Sequence, residues 1–179
     1  HLDKDKITRT QEEFDIAFRQ FSYVVRSLNY NFGFMIDSGG EKIWIMNNDG
    51  EKVDGDRFLV LITKMFLMAN PDTKKIAVPI QATREIDLVC EEFGTEVVRV
   101  KDSHYAMMTA CDDKDVKFVG GTKGGFIFPE FLYATDGMFA IAKILELFAK
   151  TKSNVHDILD DTPRLFMMKE NIECTKEEK

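Results

Sequence analysis

Cysteine is scarce in this chain: Cys90, Cys111 and Cys174 are the only three in 179 residues, and no two form a C-x-x-C pair. An odd number at wide spacing excludes a disulfide framework or a thiolate zinc centre as the organising element, and it fits a reducing cytoplasm. Basic residues are also in deficit. The 24 Lys+Arg stand against 31 Asp+Glu, for a formal charge of −7 and a pI near 5.1. Nucleic acids and anionic membrane surfaces require a basic footprint, so neither is an expected partner. No apolar run reaches membrane-spanning length, and His1 to Lys6 have neither signal-peptide character nor an initiator Met. The chain therefore reads as a segment of a longer protein. Low-complexity tracts and internal repeats are missing as well. What is present is an ordinary globular composition, 44% hydrophobic and 31% charged, at a length that suits one domain or one domain and part of another.

Thr10-Gln11-Glu12-Glu13 has the pattern of a capping box. Phe14, Phe18, Phe21, Val25 and Leu28 then recur every three or four positions, which predicts an amphipathic helix over residues 11–28. The apolar run from Phe32 to Ile36 predicts a strand ending in the acidic, glycine-rich loop 37–42. A second strand follows over 43–46, and Asn48-Asp49-Gly50 is a turn signal. Residues 58–68 are too continuously apolar for a surface helix and predict a buried one. Strands at 76–80, 96–100, 116–119 and 126–128 alternate with helices at 83–93, 103–111 and 136–150, and Ser153 is placed to cap a last short helix before Pro163. This order predicts an α/β fold of the three-layer type, a mixed sheet with flanking helices, preceded by a partial α/β segment. Residues 54–165 form a complete unit, whereas residues 1–53 hold too few elements to bury their own faces and need something to pack on.

Few residues offer chemistry. The Asp37 to Lys42 loop follows a strand, where open α/β sheets present ligand-binding groups. Asp37 and Glu41 could hold a hard cation such as Mg²⁺, or the segment is a solvated hairpin loop. In Gly120-Gly121-Thr122-Lys123-Gly124-Gly125 the glycines permit close backbone approach, and Thr122 and Lys123 suit a phosphate or a sugar hydroxyl. The spacing is that of neither a Walker loop nor a dinucleotide fingerprint, and a glycine-rich hairpin turn explains it equally well. Lys101-Asp102-Ser103-His104 follows a strand and opens a helix, a placement suited to an anion, although His104 alone also suits capping or packing. His156 has no recognisable partner and reads as a surface residue. Met107, Met108, Met138, Met167 and Met168 read as core filling, Cys90 as a buried thiol, and no nucleophile stands out.

Taken in order, these segments resemble the alpha-D-phosphohexomutases, the phosphomannomutase/phosphoglucomutase family. The resemblance rests on the Asp37 loop, the strand and turn from Ile43 to Val53, Asp54-Gly55-Asp56-Arg57, and Val97-Val98-Arg99-Val100-Lys101-Asp102-Ser103-His104. It continues through Gly120-Gly121-Thr122-Lys123-Gly124-Gly125 and Asp136-Gly137-Met138, and so spans nearly the whole chain. It implies that residues 1–53 are the end of a second domain, residues 54–165 a third domain, and residues 166–179 a linker towards a fourth.

The family's full chain interconverts hexose 6- and 1-phosphates through a phosphoserine and a bisphosphate. By that resemblance Asp37 and Glu41 are residual Mg²⁺ ligands, Lys42 and Lys101 phosphate contacts, and His104 an acid/base assistant supported by Lys101. Gly120, Gly121, Thr122, Lys123 and Gly124 form the sugar-reading loop. Two departures stand out. Gly39 occupies the place of the middle carboxylate of the family's D-G-D-x-D-R loop, and Thr122 stands where a Glu would. The degenerate loop, followed by Pro129-Glu130-Phe131, most resembles the phosphomannomutase-like region fused behind sugar-1-phosphate nucleotidyltransferases such as mannose-1-phosphate guanylyltransferase. Two readings follow: the hexose-phosphate-binding part of a mutase, or a non-catalytic module that regulates or assembles an attached nucleotidyltransferase. Both predict that the chain alone is inactive as a mutase, and the exposed faces of residues 11–28, without their native domain, could drive a homodimer.

Overall fold

The fold is taken from a computed structural model that describes residues 10–162. The predicted linker 166–179, with Met167, Met168 and Cys174, lies outside the described residues. The first helix, α1 (Gln11–Ser27), starts on the expected reciprocal cap: the Glu13 N–H donates to Thr10 Oγ1 at 3.2 Å, and the Thr10 N–H to Glu13 Oε2 at 3.1 Å. Its aromatic face lies on a hairpin made by β1 (Phe32–Ile36) and β2 (Ile43–Asn47), paired antiparallel from Phe32↔Asn47 to Ile36↔Ile43. Phe14 meets Trp44 edge-on at 4.7 Å, and the Lys52 ammonium sits over the Phe14, Phe18 and Trp44 rings.

The remaining elements are α2 (Gly55–Ala69), β3 (Lys75–Pro79), α3 (Glu85–Phe93), β4 (Glu96–Val100), α4 (His104–Thr109), a 3₁₀ turn (Ala110–Asp112), β5 (Val116–Gly120), β6 (Phe126–Ile127), α5 (Gly137–Thr151) and α6 (Val155–Asp160). The strands form a mixed sheet in the order β4-β3-β5-β6, in which β3 is parallel to β4 and β5 and β6 is antiparallel to β5. Alternation along β3 separates the two faces. Ile76 and Val78 enter the main core with α2, α3, α5 and α6, whereas Ala77 joins Met107, Cys111 and Val119 beneath α4. The expected α/β fold with a mixed sheet and helices on both faces is therefore observed. The near-continuous apolar run in α2 is explained by its position, because residues Phe58 to Leu67 are buried all round the helix.

The β1-β2 hairpin buries its inner face against this core. Ile43 and Ile45 belong to the main cluster, Phe32 stacks on Phe148 at 4.7 Å, and the Ile43 N–H donates to Gly124 O at 3.0 Å. Gly124 is essential to that approach. Its φ is +84°, and a Cβ there would lie 2.0 Å from the Ile43 carbonyl oxygen.

Several local expectations shift. The helix expected over 103–111 is α4 followed by the 3₁₀ turn, and the helix expected from Thr83 begins at Glu85. The last short helix is capped by Asn154, whose side chain accepts from the Asp157 N–H, and not by Ser153. His156 does have partners, since Nε2 lies 3.0 Å from Asn48 Oδ1 and 3.4 Å from Asp49 Oδ2, tying α6 to the turn after β2. The other side of α6 is held by Arg57, which donates to Leu159 O and Thr162 Oγ1, and by Lys64, which pairs with Asp161 at 2.6 Å.

Candidate functional site

A cavity of about 250 Å³ opens at the carboxyl ends of β4 and β5, the end of a parallel sheet at which loops converge without blocking strand pairing. Its walls come from four separate stretches of sequence: Glu41 and Lys42 at the start of β2, Asp102 to His104 with Met107 and Met108 after β4, Gly121 to Lys123 with Gly125 and Ile127 after β5, and Ala134 and Thr135 before α5. Of the residues singled out from the sequence, the fold thus brings together Glu41, Lys42, His104, Gly121, Thr122 and Lys123.

Each is positioned by a local cause. Lys42 is fixed through its backbone, pairing with Gly125 across a β-bridge while its N–H donates to Asp37 Oδ1 at 3.0 Å. His104 is the first residue of α4 and is exposed. Ser103, not His104, caps that helix, accepting from the Ala106 N–H at 3.2 Å. Lys123 is mostly exposed and pairs with Asp102 at 3.2 Å. Gly121 donates to Gly125 O at 2.8 Å to close the turn.

Four predicted site residues fall outside the cavity lining. Lys101 is exposed and lies beyond it. Gly120 faces α2, where a Cβ would meet Leu59 Cδ1 at 2.2 Å, and Gly124 faces β2, so both glycines answer a packing demand. Asp37 points into its own loop. Sequence reasoning missed Asp102, which was noted only as part of its segment, and Thr135, which carries no motif and reaches the cavity through the path of the chain into α5. A larger cleft of about 560 Å³ lies at the opposite ends of β3 and β5. Its lysines bond to neighbours, Lys114 to Tyr133 Oη at 2.7 Å, Lys117 to Lys114 O at 2.7 Å, and Lys143 to Glu130 at 2.7 Å and Glu146 at 3.1 Å, and none of the site residues predicted from the sequence lines it.

The Mg²⁺ implied by the resemblance is tested by the donors in the Asp37 loop. Magnesium demands near-octahedral oxygen coordination. The loop supplies two carboxylates, Asp37 and Glu41, with Gly39 between them. Asp37 Oδ1 already accepts the Glu41 N–H at 2.8 Å and the Lys42 N–H at 3.0 Å, and among the described residues no three His, Cys, Asp or Glu side chains gather. This donor set does not fit a tightly held Mg²⁺. Among the described residues thiol chemistry is equally unfavoured, because burial pushes Cys90 up to about 12 and Cys111 up to about 11.

The sequence profile described as phosphoglucomutase/phosphomannomutase, alpha/beta/alpha domain III, matches residues 54–166. The chain belongs to that family, the alpha-D-phosphohexomutases. A phosphoglucomutase/phosphomannomutase of Thermococcus kodakarensis is 25% identical over 169 residues, covering 94% of this chain and 37% of that protein. The crystal structure of a phosphoglucomutase/phosphomannomutase family protein from Burkholderia thailandensis superposes with a TM-score of 0.71 at 22% identity, over 83% of this chain and 32% of that one. The N-acetylphosphoglucosamine mutase of Aspergillus fumigatus, solved in complex with GlcNAc-6P and magnesium, superposes with a TM-score of 0.58 at 11% identity, over 74% and 35% of the two chains. This chain thus spans well under half the length of the relatives it matches. No helix among the described residues is long and apolar enough to cross a membrane.

Proposed function

We propose that this chain supplies the sugar-reading part of a phosphohexomutase-type protein, and that the cavity between β2, α4 and the Gly121–Lys123 turn takes a hexose phosphate. The observation that carries this reading is the convergence of Lys42, His104, Thr122 and Lys123, distant in sequence, on one cavity at the carboxyl ends of the strands. Its volume is below the roughly 300–1,000 Å³ of pockets for drug-sized ligands, which favours a single ring over a nucleotide. Lys42 and Lys123 supply charge for the phosphate, Thr122 and the turn backbone supply hydrogen bonds for ring hydroxyls, and exposed His104 can exchange a proton with a bound hydroxyl. Phosphoryl transfer depends on charge neutralisation that this Asp37 loop does not provide, so the chain by itself is expected to show no mutase turnover. Addition of mannose 1-phosphate, glucose 1-phosphate or glucosamine 1-phosphate to isotope-labelled protein is expected to shift the amide resonances of Lys42, His104, Thr122 and Lys123. Unmoved resonances with all three ligands, or shifts confined to the Lys114–Tyr133 cleft, refute the proposal.

The double hydrogen bond on Asp37 favours a second reading, in which the module keeps the fold for packing, has lost the metal, and serves regulation or assembly of an attached domain, a sugar-1-phosphate nucleotidyltransferase being the partner the sequence suggests. Mutase turnover by the parent protein that disappears with Asp37→Ala and with Asp37→Asn would eliminate this second reading.

A further inference from the structure

We infer that the Asp37–Lys42 loop is a cation-independent support: Asp37 is a positioning residue that holds Lys42 at the cavity, and the Lys42 ammonium supplies the charge for an anionic ligand there. The inference rests on the reading that the cavity takes a sugar phosphate, but its first test needs no sugar phosphate.

The loop closes on its own hydrogen bonds. Asp37 Oδ1 accepts the N–H groups of Glu41 and Lys42, the Asp37 N–H donates to Lys42 O at 2.9 Å, and the Gly40 N–H donates to Asp37 O at 3.1 Å. The carboxylate thus orders the loop by itself, accepting two converging N–H groups on one oxygen. Gly40 takes the left-handed turn at φ +72°, and its carbonyl accepts the Gly137 N–H at 2.7 Å, so the loop tip is docked on the start of α5. A tip held in this way needs no ion to order it. The consequence falls on Lys42. Its N–H and C=O are both committed to Asp37, its backbone is bridged to Gly125, and the residue lines the cavity.

Manganese is a hard divalent cation that prefers the same oxygen donors as magnesium, and it reports its binding directly through water-proton relaxation. The full chain is expected to show no saturable Mn²⁺ binding, and Asp37→Asn, which keeps an acceptor oxygen at the same place, is expected to leave relaxation and melting temperature unchanged. Saturable Mn²⁺ binding removed by Asp37→Asn overturns the inference, whether or not any sugar phosphate binds. For whichever hexose 1-phosphate binds, the affinity is expected to be equal in EDTA and in Mg²⁺. It should weaken about tenfold in Lys42→Met, weaken in Asp37→Ala, and recover in Asp37→Asn. An affinity that rises with Mg²⁺ and loses that rise in Asp37→Asn contradicts the inference. If Asp37→Ala fails to fold, the Mn²⁺ titration and the behaviour of Asp37→Asn still decide. If no hexose phosphate binds, the proposed function fails while the relaxation experiment stands.

Discussion

Lys123 reaches from the turn after β5 to Asp102 in the loop after β4, Nζ to Oδ2 at 3.2 Å, and so joins two of the cavity's walls with a solvent-facing ion pair. Such pairs contribute at most about 1 kcal/mol to stability, because water screens the attraction and ordering two side chains costs entropy. In the proposed site Asp102 also competes with an anionic ligand for Lys123. Asp102→Asn is therefore expected to change the stability by less than about 0.5 kcal/mol and to tighten hexose-phosphate binding two- to threefold, roughly what loss of one solvent-screened repulsion supplies. The gain should shrink as salt is raised. Urea denaturation and calorimetry at two ionic strengths check both halves.

Gly40 and Gly124 both sit at positive φ, yet they predict different outcomes. Around Gly40 a Cβ would meet nothing within 4 Å, so Gly40→Ala should cost only the conformational penalty, about 1 kcal/mol. At Gly124 the same methyl would lie 2.0 Å from the Ile43 carbonyl oxygen, and the hairpin would have to move off β6. Gly124→Ala is expected to cost more than about 3 kcal/mol, read as a lower urea midpoint with an unchanged slope. Equal costs at the two sites would contradict the packing described for β2.

Cys90 lies in the main core, and desolvation raises its thiol from its ordinary value of 9.0 to about 12. Folding therefore holds the thiol protonated. The stability this provides is complete below the unfolded value near 9.0 and is lost as pH rises through the folded value near 12. The Cys90→Ala and Cys90→Ser variants should lose less of their own stability than the parent between pH 9 and pH 11, and native Cys90 should resist alkylation at pH 8 until the chain unfolds. Rapid alkylation of Cys90 in the folded protein would show the burial to be incomplete.

Much of the fold was legible because local signals and tertiary demand agree. The Thr10–Glu13 cap, the Phe14/Phe18/Phe21 stripe and the apolar α2 all point to the structure that forms. The errors arise where two cues compete within a few residues. Ser153 and Asn154 are both good caps, and the choice falls to Asn154, which accepts from the Asp157 N–H. His156 looks isolated because Asn48 and Asp49, its partners, are more than a hundred residues away in sequence. The site was legible as motifs but not as a set. Nothing local tells a glycine that faces a ligand from one that faces packing, so Gly120 and Gly124 read like Gly121, although the first two are demanded by Leu59 and Ile43. That Asp37 accepts two N–H groups from its own loop was not legible, because it is a property of backbone geometry. The partly buried Arg57–Glu85 pair at 2.9 Å was illegible for a similar reason, since its members lie on different helices and meet only when α2 and α3 pack.

Binding of a hexose phosphate in the cavity is the property from which the proposed roles of Lys42, Thr122 and Lys123 follow. Calorimetric titration of the full chain with mannose 1-phosphate, glucose 1-phosphate and glucosamine 1-phosphate, in parallel with Lys123→Met, tests this directly. Saturable one-to-one binding of at least one of them, weakened about tenfold by Lys123→Met through loss of a charge-assisted hydrogen bond, is the predicted result. No saturable heat with any of the three, or an affinity indifferent to Lys123→Met, would contradict it.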